Sequence, residues 1–437
     1  ERLGRGSALA LVLGSAMGSA LGFSSGDATQ GIDGSDGPTA LQQQACEGFE
    51  KCFGGKATAF AVAPGRVEVI GNHTDYNQGF ILSCAIDRYI VAVGRKVEGK
   101  NCSVQSAHFE EKKQPPVKFT WDSDSTLVKR EGPEAWANYM MGVVEEFRKR
   151  AVTPGGFEAF VVSNVPLGSG VSSSAALEMA TAKLVKQLYP EACESLSQLD
   201  LVLMSKSAEN NFVGMGCGVL DQFSSGMGKA GHLIFLDCRD LENFQHVPLV
   251  DRAVFVLANT HAPHQLVDGQ YNKLRACCEQ AAKHFHDKVD PKVSHLRDVS
   301  VDLFEHNKQD LPENVRSIAK HIVYENQRVL DCQAALQGGD LGTLGARMRA
   351  SHESSSKDFG NSCPQLDSMV AAAEDIDGWL GGRLMGGGFG GCTINLVEAT
   401  KADAFTERLT AKYKEATGLE AGIVIVRPAD GAYAGAV

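Results

Sequence analysis

Residues 164–185 read NVPLGSGVSSSAALEMATAKLV. A proline, two near-adjacent glycines and three serines stand directly in front of an alanine-rich stretch. FVVSN, ending at Asn164, has the pattern of a strand, and ALEMATAKLVKQLY, stopped by Pro190, that of a helix. Glycine lets backbone N–H groups turn outward and approach a ligand closely. The helix that follows aims its free N–H groups and positive dipole end at the same spot, which makes a phosphate site. The serine hydroxyls can cap the helix, and one can reach a magnesium ion. No Lys-Ser or Lys-Thr follows the glycines, so this is not a Walker A loop. The residues alone leave a second reading open, a serine-capped helix after a tight turn.

Composition bounds what such a site could serve. A chain of 437 residues suggests two or three domains, and its 43% apolar and 22% charged residues are those of an ordinary soluble protein with a large core. The net charge of -11 argues against a general nucleic-acid or anionic-membrane binder. An anionic substrate would therefore have to be held by local N–H groups and a metal. The 12 cysteines form no CxxC pair, which speaks against a zinc site and for reduced thiols in a cytosol-like compartment. The first 45 residues open with two arginines and a short apolar run, Ala8–Leu13, too short to span a bilayer. They read equally as a targeting segment or as a flexible Gly/Ser/Ala leader.

From about Ala45 the first half is strand-rich. ATAFAVAPGRVEVIG reads as a strand interrupted by a Pro-Gly turn, and GFILSCAIDRYIVAVGRKV as further strands. EAWANYMMGVVEEFRKR has helical spacing, and HLIFLDCRD and DRAVFVLAN are short strands. From about residue 270 the pattern is helical, before a glycine-rich run, the strand CTINLV, a helix and a last strand, EAGIVIV. The expectation is an α+β protein of two lobes.

Three further stretches can carry chemistry. LMGGGFGGCTINLV (residues 384–397) formally matches GxGxxG, but a strand follows it, so the dinucleotide fingerprint fails. Its glycines suit close packing against another loop or a ligand. APGRVEVIGNHTDYNQG (residues 63–79) presents Asn72, His73 and Asp75 on a polar turn after Arg66, a set able to grip several sugar hydroxyls. Asp75 also suits a plain turn. SAENNFVGMGCGVLDQFSSGMG (residues 207–228) leads through small residues to Asp221, where a carboxylate can accept a hydroxyl proton, and offers Glu209 as a metal oxygen.

Taken in chain order, APGRVEVIGNHTDYNQG, VPLGSGVSSSAALE, CGVLDQF and LMGGGFGGC resemble the three motifs of the GHMP small-molecule kinases, and within them the galactokinases. WANYMMGV, YNKLRACCEQA, HIVYENQRVLDC and SHESSSKDFGNSCPQLD extend the resemblance from roughly residue 45 to the C-terminus. It implies an N-terminal lobe of the ribosomal-S5 second-domain type (46–250) and a ferredoxin-like C-terminal lobe (251–437). It also implies transfer of the γ-phosphate of ATP to the 1-hydroxyl of α-D-galactose, with Mg²⁺; a cytoplasmic monomer is expected, with organelle targeting by the leader left open. By position, Asp221 matches the proposed base and Arg66 the arginine beside the transferred phosphate. His73, Asp75, Gly218 and Tyr271 match sugar-binding positions. Gly168, Gly170, Ser172 and Ser173 match the ATP-phosphate loop, and Trp136 lies in the segment that lines the nucleotide. Ser174 and Glu209 are the magnesium candidates by similarity to other members of the superfamily.

One departure bears on selectivity. Galactokinases commonly carry Glu before the His, where it accepts a hydrogen bond from the sugar's 6-hydroxyl; this chain has Asn72. A neutral amide there predicts relaxed selectivity at C6, with galacturonate as a candidate substrate. The alternatives are thus another sugar-1-kinase (galacturonokinase, N-acetylgalactosamine kinase or arabinokinase) or a non-catalytic galactose and ATP sensor. The intact Ser174-Ala175-Ala176 run, with Arg66 and Asp221, argues against the sensor.

Overall fold

The computed structural model describes residues 36–121, 126–166, 169–262 and 269–437. These carry twelve strands: β1 (Ala59–Ile70), β2 (Phe80–Val97), β3 (Asn101–Ser106), β4 (Val117–Thr120), β5 (Gly156–Ser163), β6 (His232–Asp237), β7 (Asp240–Pro248), β8 (Ala253–Asn259), β9 (Trp379–Leu384), β10 (Cys392–Glu398), β11 (Gly422–Val426) and β12 (Tyr433–Ala436). With the helices between them they make the α+β architecture expected. The twelve cysteines are all free, half of them buried. Among the described residues no helix is long and apolar enough to cross a membrane.

Two compact units result. The first holds the described residues through Arg66, residues 85–228 and 430–437; the second holds 67–84 and 229–429. This partition interleaves along the chain, unlike the contiguous segments 46–250 and 251–437. Residues 80–83 of β2 go with the second unit because they pair with β6.

In the first unit the strands run in the order β12-β1-β2-β5-β3-β4. β3 lies parallel to β5, while β12 pairs antiparallel with β1. The helix Pro38–Phe53 buries Leu41, Ala45 and Phe49 against Val62, Val91, Phe160 and Val162. Its start corrects the leader, which was taken to reach residue 45; residues 1–35 lie outside those described. The signal was a stripe at a spacing of four with Pro38 at the first helical position, which bulk composition conceals. β1 is also unbroken at Pro64-Gly65, where a turn was expected.

The second unit contains an antiparallel sheet in the order β11-β8-β10-β9. Val254, Val256 and Val397 of that sheet pack with Met369, Phe405, Leu409 and Tyr413 from the helices Pro364–Ala373 and Ala402–Thr417. A separate helical core joins Phe285, Phe304, Ile322 and Phe359.

Candidate active site

The Pro-Gly pair in β1 is there for close approach. A Cβ on Gly65 would lie 2.9 Å from the carbonyl oxygen of Val171, so only glycine lets the bend after β5 rest on the strand. Pro64 loses no needed donor, and its carbonyl accepts from Ser225 Oγ at 2.6 Å. The neighbouring Arg66 N–H donates to Val171 O at 3.0 Å, which locks strand and bend together.

From that anchor Arg66 reaches Asp221, the second residue of the helix Leu220–Met227. Arg66 Nε donates to Asp221 Oδ1 and Nη2 to Oδ2, both at 2.7 Å, and Nη1 donates to the carbonyl of Gly170 at 2.5 Å. Ser172 Oγ donates to Asp221 Oδ2 as well. The arginine side chain is 9% exposed and the aspartate's 22%, so the carboxylate keeps an open side. Ser172 sits at φ 54°, ψ 61° and makes no cap bond, a correction to the expected serine cap. The left-handed backbone turns its hydroxyl away from the helix N–H groups and onto Asp221. Ser173 opens the helix Ser173–Leu188 and is half-buried; Gly170 has φ 68°. Gly168 lies outside the described residues.

At the second residue of that helix, the buried Ser174 hydroxyl bonds Glu209. Glu209 Oε2 also accepts from Gln222 Nε2 at 2.6 Å and from Cys217 Sγ at 3.2 Å. The same Gln222 amide donates to Glu178 Oε2 at 2.9 Å. Burial first, then the neighbouring Asp221, pushes the Glu209 carboxyl up. Burial and Glu209 push fully buried Glu178 well above the usual carboxylate range. Glu178 Oε1 and Gln222 Oε1 are buried without a hydrogen-bond partner. Crowded acid with spare oxygens, a hydroxyl and a carboxylate in contact, fits a hard divalent cation. Among the described residues no three His, Cys, Asp or Glu side chains cluster as a metal site. Glu178 and Gln222 were missed in the sequence. An acid four residues after Ser174, hence on the same helix face, was the available signal.

The second unit holds the Asn-His-Asp turn. Gly71 (φ 118°) and His73 (φ 60°) bend the chain after β1. Fully buried Glu325 accepts from the N–H groups of both Gly71 and Asn72 at 3.1 Å. His73 Nε2 donates to Gly387 O at 3.3 Å, which leaves Nδ1 to accept from Tyr76 Oη at 3.1 Å. Burial holds His73 down at about 4, so the ring is neutral. Its ring lies 5.4 Å from that of Tyr271 and 4.7 Å from that of Phe359. Asp75 is half-buried at the start of the short helical turn Asp75–Asn77. The glycine-rich run therefore packs on this turn through Gly386 and Gly387, the close loop contact expected of it.

Two expectations change. Asn72 is 1% exposed, and its Nδ2 donates to Glu68 Oε1 (3.2 Å) and Gly386 O (2.7 Å). Its Oδ1 accepts from Asn361 Nδ2 at 2.9 Å and from Ser355 Oγ at 3.5 Å. With both donors and the acceptor engaged, the amide has nothing to offer C6, so the argument for relaxed selectivity fails. Trp136 is 2% exposed and stacked on Phe109 at 5.3 Å, which makes it a core side chain. Gly218 lies half-buried in the loop before Asp221's helix.

Known proteins are similar to this chain in sequence and fold. Residues 47–96 match the galactokinase galactose-binding signature, residues 138–229 the GHMP kinases N-terminal domain and residues 332–415 the GHMP kinases C-terminal domain. A galactokinase of Roseiflexus sp. (strain RS-1) is 37% identical over 385 residues, 88% of this chain and 95% of its own. One from Haemophilus influenzae (strain PittGG) is 40% identical over 366 residues, 82% of this chain and 90% of its own. The crystal structure of Lactococcus lactis galactokinase complexed with galactose superposes with a TM-score of 0.81 at 30% identity, covering 90% of this chain and 98% of that one. Methanococcus jannaschii mevalonate kinase, at 17% identity and a TM-score of 0.57, shares the fold. Motif, sequence and fold agree: the chain belongs to the galactokinase family of GHMP kinases.

Proposed function

We propose that this chain is an ATP-dependent sugar kinase that moves the γ-phosphoryl group of ATP to the anomeric 1-hydroxyl of α-D-galactose. The observation that carries this reading is the two-pronged Arg66–Asp221 pair, bonded to Gly170 and Ser172 of the glycine–serine bend. Asp221 accepts or orients the sugar hydroxyl proton, and Arg66 holds charge that spreads over the moving phosphoryl group. Phosphoryl transfer asks little covalent work of a protein; in-line positioning and charge stabilisation do most of it. Gly170, Ser172 and Ser173 would cradle the ATP phosphates at the N-terminus of the helix Ser173–Leu188, the loop to which the resemblance also assigns Gly168.

Ser174 and Glu209 would hold Mg²⁺. When bound, the ion neutralises charge on the β- and γ-phosphates. In the second unit, His73, Asp75 and Tyr271 would bind the sugar, His73 as a neutral ring; in the first unit, the resemblance gives Gly218 a sugar-binding role. Trp136, stacked on Phe109 in the core, would support the nucleotide side only indirectly and not as a lining.

The decisive experiment measures ADP release and sugar phosphate by ³¹P NMR, with galactose, galacturonate, N-acetylgalactosamine and arabinose in parallel. Galactose is expected to be turned over fastest, at the anomeric position, and EDTA to stop the reaction. Galactose and ATP that bind without ADP release would return the sensor reading.

A further inference from the structure

We infer that Glu68 is a specificity-determining residue of the sugar site, its open carboxylate oxygen accepting a hydrogen bond from one sugar hydroxyl. This rests on the assignment of the Asn72–Asp75 turn to the sugar.

Glu68 lies four residues before Asn72, and its side chain is 8% exposed. Oε1 accepts from Arg383 Nη1 at 3.0 Å and from Asn72 Nδ2 at 3.2 Å. Arg383 is fully buried and held in turn by Ser351 Oγ at 3.1 Å, so the carboxylate is fixed from its protein side. Oε2 has no hydrogen-bond partner among the described residues, yet it is not among the buried unsatisfied atoms and so reaches solvent. A carboxylate fixed at Oε1, with Oε2 open, presents one pre-aimed acceptor to a ligand donor.

Two neighbours define what fills it. The Asn72 amide bonded to Glu68 is saturated and cannot compete for a ligand. Its partner loop leaves room: a Cβ on Gly386 or Gly387 would meet nothing within 4 Å. A carboxylate accepts and cannot donate, so the ligand group must be a donor. A sugar hydroxyl qualifies. A second carboxylate, as in a sugar acid, meets like charge in a poorly solvated site and is rejected.

The test uses the full chain, with kcat and KM for galactose, its 2-, 4- and 6-deoxy analogues and galacturonate. The wild type is expected to lose about 10- to 100-fold in kcat/KM on one deoxy analogue, the size of a hydrogen bond to a charged group. Glu68→Gln should raise the galactose KM about tenfold, leave the ATP KM within twofold, and shrink that one analogue's penalty by a similar factor. A merely structural role would not erase discrimination at a single hydroxyl. A folded Glu68→Gln chain with every deoxy penalty unchanged overturns the inference, and Glu68→Asp takes its place if the Gln variant does not fold. Independently of any variant, a wild type that uses galacturonate within tenfold of galactose, or shows no deoxy penalty at all, overturns it too. A wild type inert toward every sugar would instead sink the kinase reading.

Discussion

Arg66 grips both carboxylate oxygens of Asp221 at 2.7 Å, although the two residues are 155 positions apart in the chain. In the proposed function this pair is the chemical centre of the first unit. Asp221→Asn keeps the shape but loses the charge that accepts a proton, so kcat should fall about 10²- to 10⁴-fold, and the melting temperature should also fall because buried Arg66 loses its counter-charge. Arg66→Lys replaces a planar fork by a point charge and should also lower kcat, with Asp221 no longer held at both oxygens. Steady-state rates beside thermal melts check both; an Asp221→Asn chain at wild-type rate removes Asp221 from the chemistry.

Ser172 adopts a left-handed backbone, φ 54°, that favours glycine, and spends its hydroxyl on Asp221. The strain of a side chain there costs on the order of 1 kcal/mol. Ser172→Gly should therefore be more stable than Ser172→Ala, while both lower kcat by losing the same hydroxyl. Urea midpoints of the two variants decide the first point and ADP release the second.

Asn72→Glu replaces the amide whose Nδ2 lies 3.2 Å from Glu68 Oε1 by a second acid, in a site where residue 72 is 1% exposed. Two buried like charges sharing one arginine should cost about 3–5 kcal/mol or force one acid to take up a proton. The expected outcome is a lower denaturation midpoint and weaker galactose turnover, with no galacturonate activity gained. Recovery of full galactose activity would contradict the saturated role given to the Asn72 amide.

Acid should loosen the second unit. Burial holds His73 at about 4 and His321 at about 3, both below the ordinary 6.5. The unfolded chain thus binds protons below pH 6.5 that the folded chain refuses, so the stability these rings permit is fully present above 6.5. It is lost as pH falls toward 4 and 3, at about 1.4 kcal/mol per pH unit for each ring. Glu325, held below the usual carboxylate range although burial opposes this, by Arg328 and then His321, adds a loss only below its ordinary 4.5. Urea melts at pH 7, 6 and 5 should show a midpoint that falls with pH, and His321→Gln should flatten the slope. A flat wild-type profile would mean that these rings take up protons in the folded state.

Much of this was legible in the chain. Periodicity located the helices Ala137–Lys149 and Ser173–Leu188 and strands β8, β10 and β11 because each carries its burial pattern locally. Glycine and serine before a helix marked the bend, and the order of the motifs marked the family. The opening helix was hidden because three apolar residues in a polar stretch resemble a linker until a sheet covers them.

What the sequence by itself determined was the kind of groups present: an arginine on a strand, an aspartate behind glycines, serines at a helix start, and a polar turn after β1. What only the tertiary structure decided was how each polar atom is used. Ser172 serves Asp221 and not its helix; Asn72 is consumed by Glu68, Gly386 and Asn361; Glu178 and Gln222 join the Glu209 pocket. The reason is physical. Residue type fixes what a side chain can donate or accept, but in a buried site the partners come from distant segments, and they alone settle which of those bonds is made.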